Sequence, residues 1–314
     1  MITFRPASTA DLSMVSSCRV REPVSWVDPS RYQRELAVGS YRPEWTWLAQ
    51  NDGVLVGRAV WWALPDRTSP TALDCLWTSP TVGDRASVAT DLLRAGHAGL
   101  RDGGATSLPD YEIDLEPGWR EDPAAVAAVA WRQDAARRAG LTHTLERLSY
   151  AWTPSNPVPA ASPRLLFNEE PDDHRFLALF AETAQRSLDD LTRRTLAALG
   201  TEAQARDDLE FYLGLPGERD WWRVGHTTAG DLVGFALPTR TASAASVGYL
   251  AVLPEHRGHG YVTDLLAEIT RQHAHRGAPK ITGTTDATNT PMAAAFDRGG
   301  YDRTGTRLVL SRPR

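Results

Sequence analysis

The spacing of hydrophobic and polar residues predicts helices and strands in alternation along the chain. The clearest local signal is Asn51-Asp-Gly53, which separates two apolar runs and is typical of a two-residue β-hairpin turn. Pro-rich residues 154–163 interrupt the pattern and read as a linker. Before this linker we predict strands at 45–50, 54–64, 71–77, 111–115 and 144–152, and helices at 86–100 and 123–139.

The same order of segments returns after the linker, which indicates an internal repeat. Leu76-Trp-Thr-Ser-Pro80 matches Leu250-Ala-Val-Leu-Pro254, and Thr90-Asp-Leu-Leu93 matches Thr263-Asp-Leu-Leu266. Because the matches occur in the same order in both halves, we predict two related α/β domains, 1–153 and 164–314, joined by residues 154–163.

The stretch 247–270 predicts a strand, a glycine loop and a helix. Gly258 and Gly260 allow a ligand close to the backbone, and the first amides of the following helix have no partner within that helix. These donors, the helix dipole and Arg257 favour an anion, most naturally a pyrophosphate. The spacing is neither that of a Walker loop nor that of a dinucleotide fingerprint.

Residues 250–262 resemble motif A of the GNAT family of coenzyme A-dependent N-acyltransferases, whose signature is Arg/Gln-x-x-Gly-x-Gly/Ala. Arg257 and Gly260 match this signature, whereas Val262 replaces the second small residue. The resemblance implies two GNAT-like domains in tandem, each with a mixed, mostly antiparallel sheet flanked by helices. It also implies acetyl-CoA as cosubstrate, bound by the strand end, the loop and the start of the last helix: Leu250, Ala251, Val252, Arg257, Gly258, His259, Gly260, Tyr261, Val262 and Asn289.

The first copy departs from this motif, because Ser79-Pro-Thr-Val-Gly-Asp-Arg-Ala-Ser87 stands where the loop should be. Only Gly83 remains as a glycine, and Asp84 would place a carboxylate beside the phosphates. We therefore expect the N-terminal copy to be degenerate and to serve as a wall for the second.

The catalytic residues are not evident from the sequence. Many members of the family use a tyrosine as acid, but Phe296 stands at that position, and Tyr301 occupies a position where packing is expected. Asp286, His226 and Tyr249 are weak candidates for the base. We therefore expect catalysis by proximity, with a base that acts through water and that the sequence does not identify. Asp189, Asp190, Asp207, Asp208 and Glu210 form an acidic region that would attract a cationic amine or simply face solvent.

Composition narrows the function further. The chain has 314 residues, two of them cysteines, and a net charge of −5. No apolar run is long enough to span a bilayer. We expect a cytoplasmic protein without a metal, nucleic-acid or membrane partner; its oligomeric state is open. The predicted function is acetyl transfer to a primary amine of a small metabolite, such as an amino sugar, an amino-acid derivative or a peptide-like compound. The alternatives are a non-catalytic acyl-CoA or metabolite-binding module and protein N-acetylation.

Overall fold

The computed structural model describes residues 1–241 and 244–313, which form two compact units. The first comprises Met1–Glu146 and Thr306–Pro313, and the second comprises 147–305. The predicted domains differ from these units at their last strands. Residues 147–152 pair in the second unit and residues 306–310 pair in the first.

The first unit contains a sheet in the order β1-β2-β3-β4-β5, completed by residues 306–310 of β12. All of its neighbouring strands are antiparallel except β4 and β5. Its elements are β1 (Ile2–Pro6), α1 (Leu12–Ser17), α2 (Pro29–Val38), β2 (Thr46–Asn51), β3 (Val54–Trp62), β4 (Ala72–Thr78), α3 (Arg85–Asp102), β5 (Asp110–Leu115), α4 (Pro123–Arg138) and the first residues of β6 (His143–Trp152).

The second unit repeats this topology with the strand order β7-β8-β9-β10-β11, completed by residues 147–152 of β6. Here β10 and β11 are the parallel pair. Its elements are β7 (Leu165–Glu169), α5 (Asp173–Ala184), α6 (Asp190–Leu199), α7 (Thr201–Leu213), β8 (Arg223–Thr227), β9 (Leu232–Arg240), β10 (Ala245–Val252), α8 (Tyr261–His275), β11 (Ile281–Asp286), α9 (Thr290–Arg298) and the first residues of β12 (Asp302–Ser311). The predicted repeat and the mixed, mostly antiparallel sheets are confirmed.

Local sequence explains most element boundaries. Asp52 and Gly53 both have positive φ, as a two-residue hairpin turn requires, and the predicted β2–β3 hairpin is confirmed. Helices α2 to α6 each begin at an aspartate whose carboxylate accepts a main-chain N–H. Helix α8 begins at Gly260 and has no side-chain cap.

Each face of the second sheet carries its own apolar layer. Helices α8 and α9 pack on one face through residues such as Leu265, Ile269 and Phe296. On the other face, Phe176 and Phe180 of α5 pack with Phe235 of β9, and α7 extends this layer. Because both faces are covered, a ligand can reach the strands only where neighbouring strands separate.

Candidate functional site

Strands β10 and β11 separate along their length. They pair only at Ala245–Ile281 and Ser246–Thr282, although they continue to Val252 and Asp286. The cause is a bulge after Ser246, where Gly248 has φ +67° and a Cβ would lie 2.2 Å from the Leu237 carbonyl oxygen. Residues 249–252 are consequently half-buried rather than enclosed. This places Leu250, Ala251 and Val252, predicted from the family resemblance, at the edge of an open gap.

The loop after β10 presents unused main-chain donors. Gly258 and Gly260 have φ values of +86° and +76°, which reverse the chain immediately before α8. Within the described residues, no protein acceptor bonds the main-chain N–H groups of residues 258–262. A Cβ at Gly258 would meet no atom within 4 Å. The donors at the positive end of the α8 dipole are therefore available to an anion.

Arg257 holds the loop in place through main-chain carbonyls. Its Nε donates to Val252 O at 3.1 Å, its Nη1 to Arg186 O at 2.7 Å and its Nη2 to Thr183 O at 3.2 Å. The guanidinium thus attaches the loop to the end of α5. Its expected role toward an anion is limited to its charge and to the loop shape that it maintains.

Arg164, which the sequence did not single out, lies against the same loop. Its Nη1 donates to His259 O at 2.9 Å, and its guanidinium forms an ion pair with Asp264 and lies 4.8 Å from the Tyr261 ring centroid. Ser162 Oγ donates to the other Asp264 oxygen at 2.7 Å. Arg164, directly after the linker, therefore neutralises Asp264, the one carboxylate in the first turn of α8. No local pattern could reveal this pair, because Arg164 and Asp264 are distant in sequence.

The three candidates for the base lie in different places. Tyr249 faces α5 and α7, with its ring 5.3 Å from Phe180 and 5.4 Å from Tyr212. Asp286 ends β11 and is 1% exposed; its Oδ2 accepts the Asp190 N–H at 2.7 Å, and burial raises its pKa. His226 lies on β8, two strands from β10, which is roughly 10 Å at ordinary strand spacing. The structure brings Tyr249 and Asp286 to the same gap but leaves His226 aside.

Asn289 and Phe296 hold structural positions in α9. Asn289 is the N-cap, and its side chain accepts the Met292 N–H at 3.3 Å. Phe296 is 1% exposed and stacks on Tyr150 with 4.6 Å between ring centroids. Tyr301 is also buried, and its hydroxyl bonds the Thr270 hydroxyl at 2.8 Å. Phe296 has no acidic proton, and the Tyr301 hydroxyl cannot deliver one to the gap without repacking the core.

The corresponding gap in the first unit is filled by its own residues. Strands β4 and β5 also pair at only two positions, but Ser25 donates its N–H to Asp114 O at 2.9 Å and its hydroxyl accepts the Asp114 N–H. Arg132 Nε donates to Leu76 O of β4 at 3.1 Å. The segment before α2 thus occupies the space along β5 that is open along β11 in the second unit.

Glu22 completes this closure. Its carboxylate accepts hydrogen bonds from Arg85 at 2.7 and 2.9 Å and from Arg132 at 2.8 Å. Burial acts to raise the pKa of Glu22, but these guanidinium contacts hold it at about 2. Asp84 caps α3 and takes the Ser87 N–H. The Ser87 N–H and the charge of Glu22 are therefore already paired within the protein.

The described residues show neither a membrane span nor a group of metal ligands. No helix within 1–241 and 244–313 has the length and hydropathy of a membrane span. In the same residues, no three His, Cys, Asp or Glu side chains are grouped closely enough to hold a metal ion.

Comparison with known proteins agrees with the fold. The chain is similar to a GCN5-related N-acetyltransferase from Sphaerobacter thermophilus, at 16% identity over 98% of this chain and 94% of that one, with a TM-score of 0.55. It is also similar to a GCN5-related glucosamine N-acetyltransferase region of a fungal multi-domain GH3 β-N-acetylglucosaminidase, at 14% identity over 98% of this chain and 38% of that one, with a TM-score of 0.52. The family profile described as "Acetyltransferase (GNAT) family" matches residues 185–301, which span the gap, the glycine loop and α8. The chain therefore carries, in its second unit, a domain of the GNAT acetyltransferase family.

Proposed function

We propose that the second unit transfers an acetyl group from acetyl-CoA to a primary amine of a small metabolite. The observation that carries this proposal is the run of free main-chain N–H groups at residues 258–262 beside the gap between β10 and β11. Such donors at a helix N-terminus fit a diphosphate, and the gap beside them fits the extended arm of CoA.

The residues of this chain would divide the work between binding and positioning. The amides of 258–262 hold the diphosphate, while Arg257 and Arg164 keep the loop in its shape. The half-buried main chain of 250–252 holds the thioester arm and fixes the acetyl carbonyl near the acceptor. Bound acetyl-CoA supplies the activated acetyl group.

The proposal is tested by binding and turnover together. We expect acetyl-CoA to raise the melting temperature of the full chain. We also expect CoA to be released when primary amines from a panel are added, and a thiol reagent detects this release. A chain that acetyl-CoA does not stabilise contradicts the assignment of the loop.

A non-catalytic acyl-CoA-binding module is the second candidate, and the burial of Phe296 where relatives carry a catalytic tyrosine favours it. Stabilisation by acetyl-CoA without CoA release for any amine would support this candidate over the transferase. Release of CoA only with peptides bearing a free N-terminus would instead favour protein N-acetylation.

A further inference from the structure

One face of α7 carries polar side chains and contacts Tyr249 of β10. Gln204, Asp208 and Tyr212 are four residues apart and so lie on one helix face. Gln204 is fully buried and donates its amide to Asp208, and the Tyr212 ring lies 5.4 Å from the Tyr249 ring of β10. Ala205 and Leu209 of the same helix belong to the apolar layer. The buried amide and the partly buried carboxylate beside that layer need polar partners.

Negative charge at this place exceeds positive charge. Asp208 has no cation partner within the described residues, and Asp189, which caps α6, has none either. Asp286 lies 3.4 Å from Arg147 Nε, which makes Arg147 the one cation paired with the group. Burial raises the pKa of Asp208 to about 6, and the charges of Asp189 and Asp207 add to this effect against the Gln204 hydrogen bond.

One fully buried acceptor atom at this place also lacks a donor. Gln204 Oε1 accepts no hydrogen bond within the described part of the chain, although the side chain is 0% exposed, whereas Asp286 Oδ1 faces Arg147 Nε at 3.4 Å. Leaving a buried acceptor unpaired is costly, so the missing partner is a donor. An ammonium group supplies three N–H donors and the positive charge that the carboxylates lack. A metal ion does not fit, because these carboxylates do not form a three-ligand group in the described residues.

We propose that Asp189, Gln204, Asp208 and Asp286 form the acceptor site and that Asp208 takes the proton from the acceptor ammonium. This inference rests on the acetyl transfer proposed above. The acceptor class is a primary amine without a carboxylate next to it, such as a diamine or an amino sugar. An α-amino acid would bring its own carboxylate against three others and would be rejected.

The step balances in protons and electrons. The ammonium gives one proton to the Asp208 carboxylate, and the freed nitrogen lone pair forms a C–N bond to the thioester carbonyl carbon. The C–S bond breaks, and the sulfur leaves with its electron pair. The second N–H proton neutralises the thiolate, directly or through water, and Asp208 returns its proton to solvent.

The test compares Asp208→Asn with Asp207→Asn, its exposed neighbour on the same helix. Both changes remove one carboxylate, but only the first removes the proposed base. With glucosamine and putrescine as probes, we expect Asp208→Asn to lower kcat by about 100-fold and Asp207→Asn to change it less than threefold. In the parent chain, kcat/KM should fall as the pH drops below about 6, because Asp208 must be ionised to accept the proton. The titratable groups around the Asp208 carboxyl are Asp189, Asp207, Tyr212 and Tyr249, and Arg147 lies near Tyr212.

A binding measurement without turnover separates this inference from the proposed function. Calorimetry should show putrescine binding to the parent chain and to Asp207→Asn, weaker binding to Asp208→Asn, and no binding of L-alanine. CoA affinity should be equal in all three proteins. If CoA binds and amines are acetylated but both variants behave alike, or if L-alanine is the better acceptor, the acceptor site is wrong and the transferase stands. If CoA does not bind to the parent chain, the proposed function itself fails.

Discussion

The two units have the same strand order and the same short parallel pairing, yet one gap is filled and the other is open. In the first unit, Ser25 bonds along β5, and Glu22 joins Arg85 and Arg132. In the second unit, no described residue bonds the amides of 258–262, and along 250–252 the Val252 carbonyl is bonded by Arg257 Nε. A repeated fold thus leaves room for a ligand where its own side chains do not fill the gap between the parallel strands.

The two units also differ in whether their partly buried carboxylates have cation partners. The half-buried carboxylate of the closed copy, Glu22, is matched by two guanidinium groups, whereas Asp208 of the open copy has no cation partner within residues 1–241 and 244–313. Their pKa values move in opposite directions, to about 2 for Glu22 and to about 6 for Asp208. Matched charge indicates a structural role, and unmatched charge in a covered place indicates a ligand.

The largest effect on CoA affinity should come from placing an aspartate, the residue that caps α3 in the first unit, at the N-cap of α8. Gly260 and Asp84 are the N-caps of α8 and α3, and a Cβ at Gly260 has no atom closer than 3.9 Å. In Gly260→Asp, the carboxylate should take the first α8 amides and repel the diphosphate. We expect CoA affinity by calorimetry to fall about 100-fold, or about 3 kcal/mol.

Gly260→Asn is the matched control, because asparagine also tolerates positive φ and caps helices but carries no charge. We expect its loss of CoA affinity to be about tenfold. Equal affinities for the parent chain and both variants would mean that the diphosphate does not lie at this helix end.

Removing the charge of Glu22 from the first unit should lower the free energy of unfolding and leave CoA binding unchanged. Glu22→Gln leaves Arg132, which is 1% exposed, without its counter-charge. We expect the free energy of unfolding in urea at neutral pH to fall by about 3 kcal/mol. Glu116→Gln, at an exposed carboxylate, should change it by less than about 0.5 kcal/mol. A loss of CoA affinity in Glu22→Gln would place a carrier in the first unit instead.

The pH dependence of stability should differ in sign between the two carboxyls. Glu22, with its folded pKa lowered from 4.5 to about 2, stabilises the fold above pH 4.5, and this contribution disappears as the pH falls toward 2. Asp208, with its folded pKa raised from 3.8 to about 6, costs stability as the pH rises through that interval. Asp208→Asn should therefore be more stable than the parent chain at pH 8, by about 1 to 2 kcal/mol. Urea unfolding at pH 4 and pH 8 checks this, and a less stable variant at pH 8 would show that Asp208 is a structural residue.

The smallest effect should follow removal of Arg164. Arg164→Ala removes the counter-charge of Asp264 in the first turn of α8, and we expect CoA to bind about tenfold more weakly. Adding Asp264→Asn should restore part of this affinity, because the repelling charge is then gone. A double variant as weak as the single one would mean that Arg164 acts only through its bond to His259.

The sequence predicted the repeat, the hairpin at Asn51-Asp-Gly53 and the loop of the second copy, because each depends on local patterns of glycine, proline and apolar spacing. It could not predict that Arg257 bonds carbonyls of α5, or that residues 147–152 and 306–310 pair outside the predicted domains. These features depend on contacts between distant segments. The role of Glu22 was missed for the same reason, since its partners lie more than sixty residues away.

The acidic region shows where sequence patterns stop being informative. Asp207 and Asp208 are adjacent, and only the helix phase makes the first exposed and the second partly buried beside Gln204. Composition alone left open a solvated surface or an amine site for both residues.

The number of CoA molecules bound per chain distinguishes a closed first unit and an open second unit from the alternatives. Calorimetric titration of the full chain with CoA should give one site per chain, and Gly260→Asp should weaken that site while Glu22→Gln leaves it intact. Two sites per chain would contradict the closure of the first unit, and none would contradict the open loop of the second.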